Sequence, residues 1–387
     1  MLEGTNIAVG VTGSIAAVRV VELVHELRRQ GASVRGVMSA DAAGIIHPWA
    51  VEFATEAPVV TEITGKVEHI ELCGSDGWAD VLLIAPATAN TVGKLAAAVD
   101  DTPVTTTAQT AIGAGVPVVI APAMHAPMYD HPGTTEALAT LREWGIDLVD
   151  PVLAEGKAKI ATTEAIVTAT ARAAGDQPLA GEHVVVTAGA TREPIDPIRV
   201  LTNRASGATG RAVAQAAAVA GARVTVIHDG GPLPYADVRS VETAAEMAEA
   251  AVDVVDDADL FIAAAAVGDY TTEAAASKIK SGSPLTVEFE PTDKVVDAVR
   301  AAAPTLDMVC FKAEVDDEQT LLAEAQALRD RTASLFVVAN EATVMGSAST
   351  TVHLVGSGPD APISGEKPAV AAAIIEAVVS ARSEDDE

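Results

Sequence analysis

The chain has little of several residue types, and each shortage excludes a class of protein. Its 387 residues include two cysteines, Cys73 and Cys310, which excludes a disulfide scaffold and a four-cysteine zinc site. Basic residues are scarce: 25 lysines and arginines stand against 54 acidic residues, a formal net charge of -29. That charge excludes non-specific binding to nucleic acid or to an anionic membrane. No apolar run reaches the ~20 residues of a membrane span and no signal peptide is visible, so we expect a cytoplasmic protein.

Lysine and aromatic residues are the scarcest of the remaining types. The chain has nine lysines, and aromatic residues make up 3% of it, whereas the apolar content is ordinary. An acidic, lysine-poor surface around a normal core is typical of proteins from a cytoplasm with high salt, where screening relieves self-repulsion. The alternative is an acidic protein that works in ordinary salt.

The first half alternates apolar strands with helices. Strands are predicted at residues 6–12, 34–38, 81–85 and 116–120, and a helix at 15–29 has apolar residues over one broad face, from Ile15 and Val18 to Leu27. This alternation predicts a doubly wound parallel sheet that binds ligands at the carboxyl ends of its strands. Hydroxyl, amide and glycine residues collect there without a cluster of cations, which suits a phosphate at a helix N-terminus. Taken singly, a serine or threonine here could equally be a helix cap. The predicted cofactor-binding residues are Gly13, Ser14, Ser39, Thr88 and Asn90.

Four segments of this half resemble a known family. VGVTGSIAA (9–17), HIEL (69–72), APATAN (85–90) and PAMHAPMY (122–129) are similar to the FMN-dependent cysteine decarboxylases, specifically phosphopantothenoylcysteine decarboxylase. The resemblance implies a flavodoxin-like domain that binds FMN and is usually trimeric. It also implies that His69 is the catalytic base and that Met124, His125 and Met128 bind the substrate.

Two departures from the family pattern concern the decarboxylation. The family usually has asparagine where this chain has His125, and a histidine in contact with a carboxylate brings a pH dependence that an amide lacks. Bacterial members also carry a cysteine in a late flap that protonates the intermediate, whereas residues 153–161 here contain none. Lys157 or Lys159 could supply that proton or contact phosphate, or both could be solvated surface residues.

The second half begins after a small, polar stretch at residues 173–181. An apolar strand at 183–187 leads to a glycine turn and to a helix that opens near Ser206, and this sequence of elements forms an anion site. Further strands at 223–227, 260–265, 308–311 and 334–339, with a helix at 244–255, predict a Rossmann-like layout. A hairpin at 350–354 and 361–363 and a helix at 368–382 close the chain.

Four segments of this half closely resemble phosphopantothenate–cysteine ligase: TAGATREPIDPIR (187–199), NRASG (203–207), AAAAVGDY (263–270) and KIK (278–280). The resemblance implies that a nucleoside triphosphate, usually CTP, activates a carboxylate with Mg²⁺ before cysteine attacks the acyl-nucleotide. Asn203 would donate to the carbonyl oxygen and Lys278 or Lys280 would assist the departing pyrophosphate. Arg192 would bind substrate. The implied nucleotide-binding residues are Gly189, Ala263, Ala264, Ala265, Asp269, Lys278, Phe311 and Arg329.

Departures in this half leave the nucleotide open between CTP and ATP. Lys294 is displaced from the family's lysine, and residues 323–331 carry Arg329 and Arg331 instead of a lysine pair. Lys312, next to Phe311, could compensate.

The sequence therefore predicts two doubly wound α/β domains: a flavodoxin-like FMN domain at residues 1–172, a linker at 173–181 and a Rossmann-like ligase domain at 182–387. The predicted function is bifunctional: ligation of 4′-phosphopantothenate with cysteine, then decarboxylation to 4′-phosphopantetheine. One alternative keeps the ligase and gives the first half FMN without decarboxylation. A second is a pyridine-nucleotide oxidoreductase, although neither half has a full G-x-G-x-x-G; a third is a regulatory subunit. We expect a homo-oligomer, up to a dodecamer, and no protein metal site.

Overall fold

The structure is a computed structural model, and it describes residues 1–282, 284–314, 317–341, 349–357 and 361–385. The chain forms two compact units, Met1–Asp176 and Gln177–Glu387. In the described residues, none of the helices is both long and apolar enough to span a bilayer.

The first unit alternates strands and helices along its length. The strands are β1 (Asn6–Val11), β2 (Ser33–Met38), β3 (Val81–Ala87), β4 (Val118–Pro122), β5 (Met124–His125), β6 (Asp147–Leu148), β7 (Val152–Ala154) and β8 (Lys157–Lys159). The helices are a 3₁₀ helix at Ile15–Arg19, α1 (Val20–Arg29), α2 (Ala40–Ala43), α3 (Pro48–Thr55), α4 (Glu68–Cys73), α5 (Ala89–Ala96), α6 (Pro103–Ala114), α7 (Ala126–Tyr129), α8 (Pro132–Glu143) and α9 (Thr163–Ala174).

Five of these strands form a parallel sheet in the order β2-β1-β3-β4-β6. All seven residues of β3 are buried, as expected for a central strand covered by helices on both faces. The strand order is that of flavodoxin-like sheets, in which the winding reverses between the first and third strands and opens a crevice there. The fold predicted for this half is confirmed.

The face predicted for the first helix is wrong in its first turn. The chain after β1 forms a 3₁₀ helix before α1 begins, so the 3.6-residue period does not hold across it. Leu23, Val24 and Leu27 are buried as predicted, whereas Ile15 is 77% exposed and Val18 is 58% exposed. The apolar face therefore points into the core only along α1.

The second unit has strands β9 (His183–Thr187), β10 (Arg192–Pro194), β11 (Val200–Thr202), β12 (Arg223–His228), β13 (Asp237–Ser240), β14 (Leu260–Ala263), β15 (Tyr270–Thr271), β16 (Glu290–Pro291), β17 (Asp307–Glu314), β18 (Phe336–Glu341), β19 (Ser349–Val355) and β20 (Ile363–Glu366). Its helices are α10 (Ala208–Val219), α11 (Ala244–Val255), α12 (Val295–Ala302), α13 (Glu318–Thr332) and α14 (Lys367–Asp385).

The main sheet of this unit has eight strands in the order β13-β12-β9-β14-β17-β18-β19-β20. The strands from β13 to β18 are parallel, and in chain order they read 3-2-1-4-5-6, the Rossmann arrangement, with its reversal between β9 and β14. The Rossmann-like layout predicted for this half is thus confirmed. The hairpin predicted near the end of the chain is also present, since β19 and β20 pair antiparallel.

The antiparallel pair determines where the last helix begins. Because β19 runs against β18 and β20 runs against β19, β20 ends at the same edge of the sheet as the parallel strands. α14 therefore starts at that edge, as α10 does after β9. Both helices cover one face of the sheet, where Val213 and Ala217 of α10 share a core with Ile374 and Val378 of α14. α11, α12 and α13 cover the other face.

The linker predicted at residues 173–181 is shared between the two units. α9 extends to Ala174, two residues beyond the predicted end of the first domain, and the units part between Asp176 and Gln177. Leu179 is buried in the second unit, and its backbone N–H donates to the carbonyl of Ala220 at 2.9 Å.

Candidate functional sites

The crevice of the first sheet lies between the ends of β1 and β3. The hydroxyl of Thr12 donates to the carbonyl of Pro86 at 2.7 Å and accepts from the N–H of Thr88 at 3.1 Å, which ties the two strand ends together. At Gly13, a Cβ would lie 2.4 Å from the Cβ of Asp41. Only glycine lets the chain pass this close to α2.

Three of the predicted cofactor-binding hydroxyls cap helices at this crevice. Ser14, Ser39 and Thr88 each accept a hydrogen bond from a first-turn N–H of the helix that follows. Asn90 is exposed in the first turn of α5. The three helices begin at the carboxyl edge of the sheet, so their N-termini and capping hydroxyls surround the crevice, where they favour an anionic group.

His69 lies near the start of α4, behind a hydrogen-bonded turn. The carboxylate of Glu68 accepts bonds from the hydroxyl and the backbone N–H of Thr64, which lower the pKa of Glu68 to about 2. The Nδ1 atom of His69 is buried and has no hydrogen-bond partner in the described part of the chain. Buried polar atoms are rarely left unpaired, so we expect a bound group to supply the hydrogen-bond partner of this nitrogen.

The flap segment forms a hairpin of β7 and β8 that pairs with β5. In this pairing His125 lies directly opposite Lys157. Lys159 instead forms an ion pair with Glu155, with 2.8 Å between Nζ and Oε2. Of the two flap lysines, the structure therefore brings Lys157 next to His125.

The remaining candidates of the first unit differ in exposure. Met124 is half-buried beside the flap, and Met128 on α7 is 48% exposed. Cys73 is buried, and this burial raises the pKa of its thiol to about 12. Cys73 lies at the end of α4, outside the flap hairpin, and the raised pKa makes its thiol a weak proton donor, so it does not replace the missing flap cysteine.

A cleft of about 600 Å³ opens at the carboxyl edge of the second sheet. It lies at the reversal of the strand order, the position where open α/β sheets bind ligands. Seven of the residues predicted for this half line it: Gly189, Asn203, Ala263, Ala264, Ala265, Asp269 and Phe311.

Asn203 is tied to the loop that follows β14. Its Nδ2 donates to the carbonyl oxygens of Ala266 (3.1 Å) and Val267 (3.3 Å). Both of its donors are therefore engaged, and donation to a substrate oxygen requires the release of one bond. The loop is also held by Thr191, whose hydroxyl accepts from the N–H of Gly268 at 2.8 Å.

Three predicted residues lie outside the cleft lining. Arg192 forms an ion pair with Asp229 at 2.6 Å, beyond the end of β12. Lys278 is exposed, on a segment held to the β10–β11 arm. The Nε of Arg329 donates to the carbonyl of Leu335 at 3.3 Å.

The cations that do line the cleft are different residues. Lys294 pairs with Asp269, and Arg331 lies on α13 near α12. Lys312 lies within β17, Lys367 directly follows β20, and Arg204 is exposed next to Asn203. Lys294 and Arg331 were visible in the sequence only as departures from the family pattern. Lys367 carries a signal that could have found it: it is a scarce lysine directly before the helix predicted at 368–382.

The structure also bears on metal binding. In the described ranges, no group of three or more histidine, cysteine or acidic residues is arranged to hold a metal ion.

Comparison with known proteins covers both units. Residues 1–175 match the Flavoprotein family, and residues 179–381 match the DNA/pantothenate metabolism flavoprotein C-terminal domain. The coenzyme A biosynthesis bifunctional protein CoaBC of Thermococcus kodakarensis is 47% identical over 92% of this chain and 90% of its own length. The protein of the same name from Methanocaldococcus jannaschii is 34% identical over 98% and 94%.

Among solved structures, an FMN-dependent cysteine decarboxylase, SpaF, is 35% identical, covering 45% of this chain and 100% of that one with a TM-score of 0.41. From the two family models and the length of chain shared with these relatives, the chain belongs to the family of bifunctional coenzyme A biosynthesis proteins.

Proposed function

We propose that the chain joins 4′-phosphopantothenate to cysteine in its second unit and decarboxylates the product to 4′-phosphopantetheine in its first. One observation carries the proposal: in each unit, residues of several matching segments meet at the strand reversal of its own sheet, Thr12 and Thr88 in the first and Gly189, Asn203 and Ala263 in the second. The full-length likeness to bifunctional relatives supports it.

Ligation begins with attack of the substrate carboxylate on the α-phosphorus of a nucleoside triphosphate. Pyrophosphate leaves, and an acyl-nucleotide remains. The amine of cysteine then attacks the carbonyl carbon, and the nucleoside monophosphate departs with its bonding electrons. Asn203 is positioned beside the cleft to donate to the carbonyl oxygen once one of its backbone bonds is released. Ala263, Ala264 and Ala265 leave the backbone accessible to a base, against which Phe311 packs.

We assign CTP as the nucleotide, with ATP as the competing choice, and Mg²⁺ as the counter-ion of its phosphates. Mg²⁺ commonly takes its ligands from substrate phosphates, water and one or two carboxylates.

In the first unit, the residues present fit FMN. The hydroxyls and helix N-termini at Ser14, Ser39 and Thr88 suit its phosphate. The buried Nδ1 of His69 has no hydrogen-bond partner among the described residues, and a bound group would supply one. When bound, FMN would accept two electrons from the cysteinyl group, which makes loss of its carboxylate possible, and would return them so that the product is the saturated thiol. His69 takes up the proton that the substrate releases, and His125 holds the carboxylate that leaves as CO₂.

Lys157 is our candidate for the proton donor that replaces the flap cysteine, because it lies opposite His125 whereas Lys159 is paired with Glu155. A second function remains in competition: a ligase whose first unit binds FMN without decarboxylating. The exposure of His125 and the absence of a flap cysteine favour it.

We further propose a cytoplasmic homo-oligomer, up to a dodecamer, adapted to high salt. Exposed large apolar side chains on the first unit support association, since Trp49 is 75% and Phe53 is 74% exposed. Light scattering in molar KCl gives the mass of the assembly, and a monomer would reject it.

The test of the function is one assay in molar KCl with 4′-phosphopantothenate, cysteine, Mg²⁺ and either CTP or ATP. Pyrophosphate and CO₂ are followed separately. Release of both establishes both reactions and names the nucleotide. Pyrophosphate without CO₂ supports the second function, and release of neither rejects the proposal.

A further inference from the structure

Lys367 is a buried lysine at the rim of the nucleotide cleft. It is 9% exposed, lines the cleft and forms no ion pair or hydrogen bond with any residue that the structure describes. Lysine is rarely buried without a partner, because removing an ammonium group from water is costly. The stem of Lys367 is buried while its Nζ is not among the buried unpaired atoms, so the ammonium is open to a group that enters the cleft.

Three other cations of the cleft already have carboxylate partners, and a fourth, Arg204, is exposed to solvent. Lys294 pairs with Asp269, Arg331 pairs with Asp297, and Lys312 lies 2.7 Å from Glu314. Each of these is also more exposed than Lys367. A ligand that reaches Lys367 does not have to compete with an acidic side chain of the protein.

The surroundings of Lys367 favour an anion. It is the first residue of α14, and α10 begins at the same edge of the sheet and covers the same face. Gly207, in the left-handed region with φ 71°, precedes α10, and the hydroxyl of Ser206 accepts from the first N–H of the helix, that of Ala208, at 3.4 Å. Two helix N-termini and one ammonium thus lie on one side of the cleft, and helix N-termini attract phosphate.

We propose that Lys367 is a phosphate-binding residue of the ligase reaction, an inference that rests on the proposed function. The phosphate belongs either to the nucleoside triphosphate, whose terminal groups leave as pyrophosphate, or to the 4′-phosphate of the second substrate. Lys367 holds the group by a charge-assisted hydrogen bond that is made only when substrate is bound.

The experiment compares Lys367→Met with the wild-type chain. Methionine keeps the length of the side chain and removes its charge. Arg223→Met is the matched control. It removes one positive charge at the start of β12, at the edge of the sheet opposite the cleft, where Arg223 pairs with Asp257. Binding of pyrophosphate and of inorganic phosphate is measured by calorimetry, and KM is measured for each substrate.

For Lys367→Met we expect pyrophosphate binding to weaken about tenfold to a hundredfold, with Lys367→Arg restoring part of it. A rise in KM for the nucleotide identifies the triphosphate as the ligand, whereas a rise for 4′-phosphopantothenate alone, with weaker binding of inorganic phosphate, identifies the 4′-phosphate. The melting temperature should stay close to that of the wild type, since methionine keeps the buried stem of the side chain.

Unchanged binding and KM values in an active Lys367→Met enzyme would overturn the inference. So would a fall in melting temperature with unchanged affinity, which would show a structural role. A wild-type chain that neither ligates nor binds pyrophosphate would instead reject the proposed function itself.

Discussion

His125 lies directly opposite Lys157, where the short strand β5 pairs with the flap hairpin. Side chains directly opposite in an antiparallel pair lie on the same face of the sheet, about 5 Å apart at Cβ. Two groups able to carry positive charge therefore face the same space, an arrangement that favours an anionic partner between them.

We predict that Lys157→Met lowers CO₂ release at least tenfold, as expected for the loss of a general acid. Lys159→Met is the matched control, since its ammonium is engaged by Glu155, and we expect less than a twofold effect. Flavin absorbance should be unchanged in both variants. Equal effects of the two substitutions would reject Lys157 as the donor.

The second prediction concerns His69. His69→Asn should retain the flavin absorbance and lower decarboxylation about 10²- to 10⁴-fold, because an amide cannot accept a proton from the substrate. Pyrophosphate release by the second unit serves as the internal control and should not change. Wild-type decarboxylation by this variant would remove His69 from the mechanism.

The third prediction concerns Asn203. Asn203→Ala should lower the ligation rate about 10²-fold or more, as for the loss of a donor to a developing oxyanion. Thr292→Val tests whether a looser loop explains the loss, since the Thr292 hydroxyl donates to the carbonyl of Gly268 in the same loop at 2.6 Å. A comparable loss in both variants would show that Asn203 acts by holding the loop.

The fourth prediction is a pH dependence that arises at Asp196. Burial acts to raise the pKa of this carboxyl, but hydrogen bonds from the backbone of Ile198, Ile279 and Arg199 outweigh it, and the pKa is lowered from 3.8. A lowered folded-state pKa stabilises the fold above the unfolded pKa, and this stabilisation is lost as pH falls through the folded value.

Asp196→Asn should therefore be less stable than wild type at neutral pH, and the difference should shrink once pH falls below about 3.8. Urea unfolding at a series of pH values measures it. A difference that stays constant through this range would contradict the assignment.

The fifth prediction concerns salt. With a net charge of -29, the fold should become more stable as KCl rises from about 0.1 M to the molar range, where the screening length falls to about 3 Å. Thermal unfolding across that range measures the effect. Maximal stability in dilute buffer would contradict adaptation to high salt.

Local signals in the sequence located most elements. Helix α11 begins and ends where it was predicted, because Thr243 and Glu246 form a capping box directly before an apolar period. The doubly wound, parallel layout of both sheets also followed from the alternation of strands with helices. These features depend on neighbouring residues, which the sequence contains.

The site predictions that failed concern which surface of the fold a side chain contacts. Arg329 and Arg331 lie two positions apart on α13, so they point to different sides of the helix, and only the packing decides which one reaches the cleft. The burial of Lys367 likewise depends on the antiparallel pairing of β19 with β20, which brings the start of α14 to the cleft. Helical periodicity alone predicts neither the residue of α13 that reaches the cleft nor the burial of Lys367.

The burial of both cysteines makes the chain suited to site-specific labelling. Thiolate is the form that reacts with maleimides, and burial raises the pKa of both Cys73 and Cys310. A new cysteine at Ser380, which is exposed on α14, would react far ahead of the two native ones. Thirteen residues of helix separate it from Lys367, or about 20 Å, so a fluorophore there would report on ligand entry without obstructing it.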